Sequence, residues 1–317
     1  MPSKNLTRFA VPAAAILAAS ALAGCGSTSS GSGGSPLAPK PSASGTVVVG
    51  SDNFPESVLL ADIYGQALAA KGIKVSYNLN IGSREVTYNL VKSGSLTLKP
   101  EYNGALLSYL DKTAAQTSAS EVDAAITAKL PSNLEILSPS TAQDNDTLTL
   151  SKQEAASLGL AKGATISDFI TKLNGKSVTI GSSPEFQTRT QGLVGLENDY
   201  GLKASQVSYK SLDAGGPLTE KALTSGEADA GDLFTTDPTI SQGGLLTLVD
   251  NKNIFGVQNV LPLIDKSALS QTGIDALNAV DAKLDSSTLL QLDTEVQVDK
   301  QDPLTVAKGY LKAIGLS

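Results

Sequence analysis

Arg84 and Arg189 are the first residues in this chain that suggest chemistry. Arginine is scarce, and the only other one, Arg8, belongs to a basic N-terminal stretch. A guanidinium can grip a carboxylate through two parallel N–H bonds or stack on a flat apolar group, so both residues are candidates to hold a small polar solute. For Arg84, a salt bridge to Glu85 or another nearby carboxylate is an equally good reading. Tyr102 offers a ring face to a cation and a hydroxyl to a polar group. Phe186 and Phe234 occupy comparable positions later in the chain. A single such ring is ordinary core material, but aromatic residues make up only 4% of this sequence, so three beside strand ends point to a binding site. Gly50-Ser51 and Gly181-Ser182 each precede a helical pattern, where free backbone N–H groups favour a polar or anionic group. Every α/β fold has such turns, so they matter only beside the arginines and rings.

The missing chemistry is as informative. The chain has no His and no Trp. Without His, the commonest general base and metal ligand is absent. No Ser stands three residues before a Lys, and there is no P-loop and no G-x-G-x-x-G. Glu185 and Asp232 are available for acid–base work, but in so acidic a chain isolated carboxylates read as solvated surface. Asp144-Asn145-Asp146 lacks the spaced Gly and terminal Glu of a calcium loop and reads as a turn or hinge. The expectation is a protein that binds without converting its ligand and needs no cofactor or metal.

The balance of 24 basic against 31 acidic residues gives a net charge of −7, which argues against nucleic acid as a partner. The N-terminus suggests where the protein works. Lys4 and Arg8 precede an apolar stretch over 9–22, of signal-peptide length and too short for a comfortable membrane span. It ends in Leu22-Ala23-Gly24-Cys25, which resembles the lipobox in which a Cys is diacylated and becomes the new N-terminus. Cys25 is the only cysteine. The expectation is a signal peptide over 1–24, a lipidated Cys25, and an extracytoplasmic protein held to the cell membrane by its lipid. Residues 26–44 are nearly all Gly, Ser, Pro, Ala and Thr, the composition of a flexible tether.

The candidate residues need a framework, and the patterning supplies one. A β-branched run at 46–50 leads through Pro55 into a helical pattern over 55–71 that Gly72 stops. A strand at 74–79, a helix at 84–92, a strand at 96–98 and a helix at 104–110 follow. Ser118 and Glu121 form a capping box for a helix to 130. The grammar then restarts: Ser151 and Glu154 begin a helix, Ser167 caps another, and a strand at 177–182 runs through Pro184 toward a further helix. Strands near 228–234, 245–249 and 256–264 precede a helical last third, with Asp302 and Pro303 opening the final helix. The expected fold class is α/β with two lobes and a double crossover: 45–147 with 253–317 as lobe one, 148–252 as lobe two. Ligands in such sheets bind beyond the carboxyl ends of the strands. That singles out Ser51, Asp52 and Asn53, then Arg84, Tyr102, Asn103, Ser183, Phe186, Arg189, Phe234, Thr235 and Gln258 as ligand-binding candidates.

Four segments carry a family resemblance. Gly50-Ser51-Asp52-Asn53-Phe54-Pro55-Glu56, Gly82-Ser83-Arg84-Glu85-Val86, Pro100-Glu101-Tyr102-Asn103-Gly104 and Val296-Gln297-Val298-Asp299 resemble, in order and spacing, the substrate-binding proteins of glycine betaine/carnitine/choline ABC transporters. The resemblance covers nearly all of 45–317. It implies a two-lobed periplasmic-binding-protein fold of type II, a monomer that closes on a small osmoprotectant, and a partner permease with a cytoplasmic ATPase. Family members hold a quaternary ammonium in a cage of tyrosines, and Tyr102 and Arg189 match family positions. Leu148, Phe234, Gln258 and Asn259 replace tyrosines, and Asp52 replaces a Lys, where it would repel a ligand carboxylate. The depleted cage leaves open a different polar, hydroxyl-rich or aromatic ligand in the same transport role. An enzyme or structural lipoprotein on this scaffold is the remote third reading.

Overall fold

The computed structural model describes residues 45–114 and 118–317. The signal peptide and tether expected from the sequence, with Cys25, lie outside the described residues.

The chain begins with β1 (Thr46–Gly50), α1 (Pro55–Ala70), β2 (Lys74–Asn78), α2 (Arg84–Lys92), β3 (Leu98–Tyr102), α3 (Asn103–Leu110), α4 (Ala119–Lys129) and β4 (Leu134–Ile136). It then crosses to a second set: β5 (Asp146–Leu150), α5 (Lys152–Leu158), α6 (Ile166–Leu173), β6 (Val178–Ser182), α7 (Leu193–Asn198), β7 (Val207–Ser211), α8 (Pro217–Ser225), β8 (Ala230–Phe234), α9 (Pro238–Gln242) and β9 (Leu246–Thr247). A second crossover returns to β10 (Val260–Asp265), followed by α10 (Gln271–Asp281), α11 (Ser286–Gln297) and α12 (Pro303–Ala313). The first sheet has the order β2-β1-β3-β10-β4 and the second β7-β6-β8-β5-β9. In each, four strands run parallel and one antiparallel strand arrives from the other lobe, β10 between β3 and β4 in the first and β5 between β8 and β9 in the second. The repeated grammar of the sequence is therefore a repeated topology.

The local signals explain most element ends. Pro55 and Pro303 occupy the first turns of α1 and α12, where a missing N–H is harmless. The Ser118–Glu121 capping box forms as expected. Other boundaries differ. Thr165, not Ser167, caps α6, because Thr165 and Asp168 form a reciprocal box. The segment after Pro184 is a single 3₁₀ turn, Pro184–Gln187, and α7 starts only at Leu193. β4, β5 and β7 are strands that the patterning does not predict. The strands expected over 245–249 and 256–264 shrink to β9 and β10.

The strand expected at 96–98 lies instead at 98–102. It contains Lys99, Pro100 and Glu101, all buried. Proline removes a ladder donor and is unusual in a central strand. It is tolerated because the pairing of β3 with β1 is confined to Val49 and Leu98, while on the other side Pro100 stands opposite Pro262. Neither proline has an N–H, so the pair occupies a position in the antiparallel ladder that exchanges no bonds.

Each lobe has its own core. In lobe one, Leu59, Ile63 and Leu68 of α1 pack with Val47 and Val49 and with Val306 and Leu311 of α12. In lobe two, Leu148, Ile166, Phe169, Ile180 and Leu196 do the same. A fully buried side chain of this kind contributes roughly 1.5–3 kcal/mol.

Gly104, second residue of α3, lies where lobe one meets the returning crossover. A Cβ there would stand 2.1 Å from the Val257 carbonyl oxygen. Backbone on backbone cannot give way easily, so Gly104→Ala should destabilise the protein by about 1–3 kcal/mol. A thermal melt indistinguishable from wild type would show that the crossover can shift away.

Candidate ligand-binding site

The strand ends of both sheets converge on one cavity of about 300 Å³ between the lobes. From lobe one come Asp52, Asn53 and Phe54 after β1, Ser83 and Arg84 at the start of α2, and Tyr102 at the end of β3. From lobe two come Ser183 and Glu185 after β6, Arg189, Asp213, Asp232 and Phe234 of β8. Asp144 and Asp146 from the first crossover and Gln258 from the second close the back.

One end of the cavity is aromatic. Phe54 lies with its ring centre 6.0 Å from that of Tyr102 and 5.2 Å from that of Phe234, both tilted. Phe234 fits because Gly215, at a φ of +58°, has no side chain; a Cβ would fall 2.5 Å from the ring. The Tyr102 hydroxyl donates to Glu56 Oε1 at 2.5 Å. Phe54 is a member of this cluster that the sequence reading leaves outside its candidates, although it stands in the Gly50–Glu56 motif.

The floor of lobe one is a buried charge network. Lys99 Nζ donates to Asp52 Oδ1 at 2.7 Å, Glu101 Oε1 at 2.9 Å and Thr87 Oγ1 at 2.9 Å, which uses all three ammonium hydrogens. Arg84 Nε lies 2.9 Å from Glu101 Oε2, and that pair does not use the terminal amino groups. Two cations and two carboxylates thus cancel. Burial alone would raise the Glu101 carboxyl, but Arg84 and Lys99 hold it below the usual range. Asp52 therefore does not present the free repelling charge expected from the sequence. The missed signal is Lys99-Pro100-Glu101 itself, two opposite charges in a strand that closes on the site.

The wall of lobe two is acidic. Burial raises the Asp146 carboxyl, with Arg189 and Arg84 opposing. Burial and then the charge of Asp146 push Asp232 well above the ordinary range. Asp232 Oδ1 is buried without a hydrogen-bond partner. Burial likewise raises Asp144, with Glu56 adding to it. The lobes touch around this wall. Arg189 reaches across to Glu85, 3.2 and 3.4 Å from its two oxygens, and Thr236 meets Glu56 at 2.6 Å.

Asp52, Asn53, Arg84, Tyr102, Ser183, Arg189, Phe234 and Gln258 are thus brought together as expected. Four other candidates are not. The Ser51 hydroxyl is buried and accepts from the Asn80 N–H. Asn103 clamps backbone, accepting from the N–H groups of Gly104 and Asn259 and donating to Asp123. Phe186 is part of the lobe-two core. Thr235 faces a separate open groove behind the crossovers and accepts from the Asn145 N–H. Gln258 lines the cavity, but its amide is committed to the Ala105 N–H and the Phe255 carbonyl. Asn259 donates to the Ser140 carbonyl. Asn259 does not line the cavity, and its Oδ1 is buried without a partner. Leu148 is buried in the core of lobe two.

Two α/β lobes joined by two crossovers, with a preformed cavity at their strand ends, define a two-lobed solute-binding protein. Residues 45–313 match the substrate-binding domain of ABC-type glycine betaine transport systems, known as OpuAC, and the chain belongs to that family. It is 31% identical over 284 residues to the glycine betaine-binding protein YehZ of Escherichia coli, covering 86% of this chain and 92% of that protein. A glycine-betaine-binding protein of Pseudomonas aeruginosa is 25% identical over 280 residues, 84% of this chain and 87% of its own length. The fold is shared with the crystal structure of a glycine betaine/carnitine/choline ABC transporter protein: TM-score 0.66, 20% identity, 85% of this chain and 99% of that one.

Proposed function

We propose that the cavity captures a small quaternary-ammonium solute, glycine betaine or choline, by closure of the lobes, and presents it to a membrane permease driven by a cytoplasmic ATPase. The observation that carries this reading is the aromatic end formed by Phe54, Tyr102 and Phe234 beside the carboxylates Asp144 and Asp232. Ring faces and buried acids together favour a desolvated cation. Arg84 and Arg189, which line the same cavity, suit a ligand carboxylate once Arg189 leaves Glu85. Binding alone needs no catalytic group, so the protein is not an enzyme. Cys25 carries the lipid that anchors it on the extracytoplasmic face, and it works as a monomer. Among the described residues no helix is long and apolar enough to cross a membrane. We place the lobes at 45–147 with 253–317 and at 148–252, the first boundary falling within β5, whose pairing with β8 begins at Asp146.

Calorimetric titration of the purified protein with glycine betaine, choline and carnitine tests this. A micromolar or tighter response to at least one is expected. Silence with all three, from a protein that melts cooperatively, would overturn the quaternary-ammonium assignment.

A further inference from the structure

We propose that Glu56 is a positioning residue that ties the aromatic cage to the meeting of the two lobes and makes that meeting depend on a bound proton. The proposal deepens the reading of the cleft as a ligand site that closes, and rests on it.

Glu56 is the second residue of α1 and is 3% exposed. Its Oε1 accepts from Tyr102 of the cage, and its Oε2 lies 2.6 Å from the Thr236 hydroxyl of lobe two. The same Thr236 hydroxyl lies 2.7 Å from Asp144 Oδ1. A hydroxyl has one proton to give. If Glu56 and Asp144 were both ionised, one of them would face a lone pair of Thr236 at hydrogen-bonding distance. Asp293 of α11 adjoins Glu56 and is 1% exposed, with the Gln297 side chain of the same helix beside it. A proton held by this group of acids gives each contact a donor and an acceptor.

Among the described residues, Arg189 and Arg84 act on Asp146, and the rest of the cluster has no ion-pair partner. The groups facing the cluster are Tyr102 from β3, Asp293 from α11, Asp144 with Asp146 behind it from the crossover, and Asp237 from lobe two. Each is an acid or a phenol. Among the described residues, none of the ion pairs includes Glu56, Asp144, Asp237 or Asp293. Burial first, then the charge of Asp293, pushes Glu56 well above the usual carboxylate range, and burial raises Asp293 to about 7. When the lobes part, water reaches the acids and these values fall toward ordinary ones. The closed form therefore binds more protons than the open form. Closure is favoured at low pH and is lost as pH rises through the closed-form values, by about tenfold in the closed-to-open ratio per pH unit for each proton held.

The test reads closure by small-angle X-ray scattering on the purified full-length protein between pH 6 and 9, without ligand and with saturating choline or glycine betaine. Glu56→Gln can accept from Tyr102 and donate to Asp293 without a proton. It should stay closed and show a pH slope shallower than wild type by about one proton. Glu56→Ala loses both contacts and should populate the open form throughout. The cavity acids Asp146 and Asp232 are present in every variant and cancel in the comparison. Equal slopes for wild type and Glu56→Gln would overturn the proposal. If instead the slopes differ but no solute closes any variant, the role of Glu56 stands and the ligand assignment fails.

Discussion

Lys99→Met should lower the stability of the protein by about 3–5 kcal/mol, because it strands buried charge in the floor of lobe one. Lys99 is fully buried, with Asp52, Glu101 and Thr87 on its three donors. Met fills the same space and removes the charge, leaving Asp52 without an ion-pair partner and Glu101 with Arg84 alone. The double change Lys99→Met, Asp52→Asn should recover part of the loss, since it removes one of the two stranded acids. Chemical denaturation of the three proteins makes the comparison. A single-variant loss under about 1 kcal/mol, typical of an exposed pair, would show that water reaches the network. The network also has a pH signature. Glu101 is held below its ordinary range, so its contribution is present above the unfolded value and fades as pH falls through the folded one. Function is coupled to it, because Glu101 fixes the Nε of Arg84, a cavity residue.

The same network shows where sequence reading succeeds and where it stops. Prolines at helix starts, the Ser118–Glu121 box and the restart of the strand–helix grammar are local signals, and they marked the lobes, most helices and the segments at the cavity. Lys-Pro-Glu read locally is a poor strand. It becomes one because β10 covers its far side and Lys99 finds Asp52 forty-seven residues away. Direction was equally hidden. Asn103 and Tyr102 are neighbours at the end of one strand, yet one clamps backbone and the other lines the cavity. Phe186 and Phe54 both follow strands, yet the first fills a core and the second meets the opposite lobe. Glu56, Thr236 and Arg189 act across the cleft, and no periodicity within either lobe encodes how the lobes meet. Thr235 and Gln258 were marked for their polarity, but backbone geometry had already used it.

Those cross-cleft rings carry the largest expected effect on binding. Phe234→Ala should weaken choline binding about thirtyfold, the equivalent of about 2 kcal/mol for one desolvated cation–π contact. Phe54 touches both Tyr102 and Phe234, so Phe54→Ala and Phe234→Ala should combine non-additively, since either change loosens the cluster that orients the other ring. Packing and charge recognition separate cleanly here. Phe234→Leu keeps most of the apolar area and loses the π face. If the ring recognises a cation, the Leu variant should fall nearly as far as Ala for choline, while the neutral carbon isostere of choline should bind both variants about as weakly as it binds wild type. If the Leu variant holds choline as tightly as Phe does, the aromatic end is a hydrophobic surface, and the selectivity for a cation must then reside in the cavity acids, Asp144, Asp146 and Asp232. Tyr102→Phe keeps its ring and loses only the bond to Glu56. It should cost choline affinity far less than Phe234→Ala, and the remaining loss should track lobe closure rather than contact with the ligand.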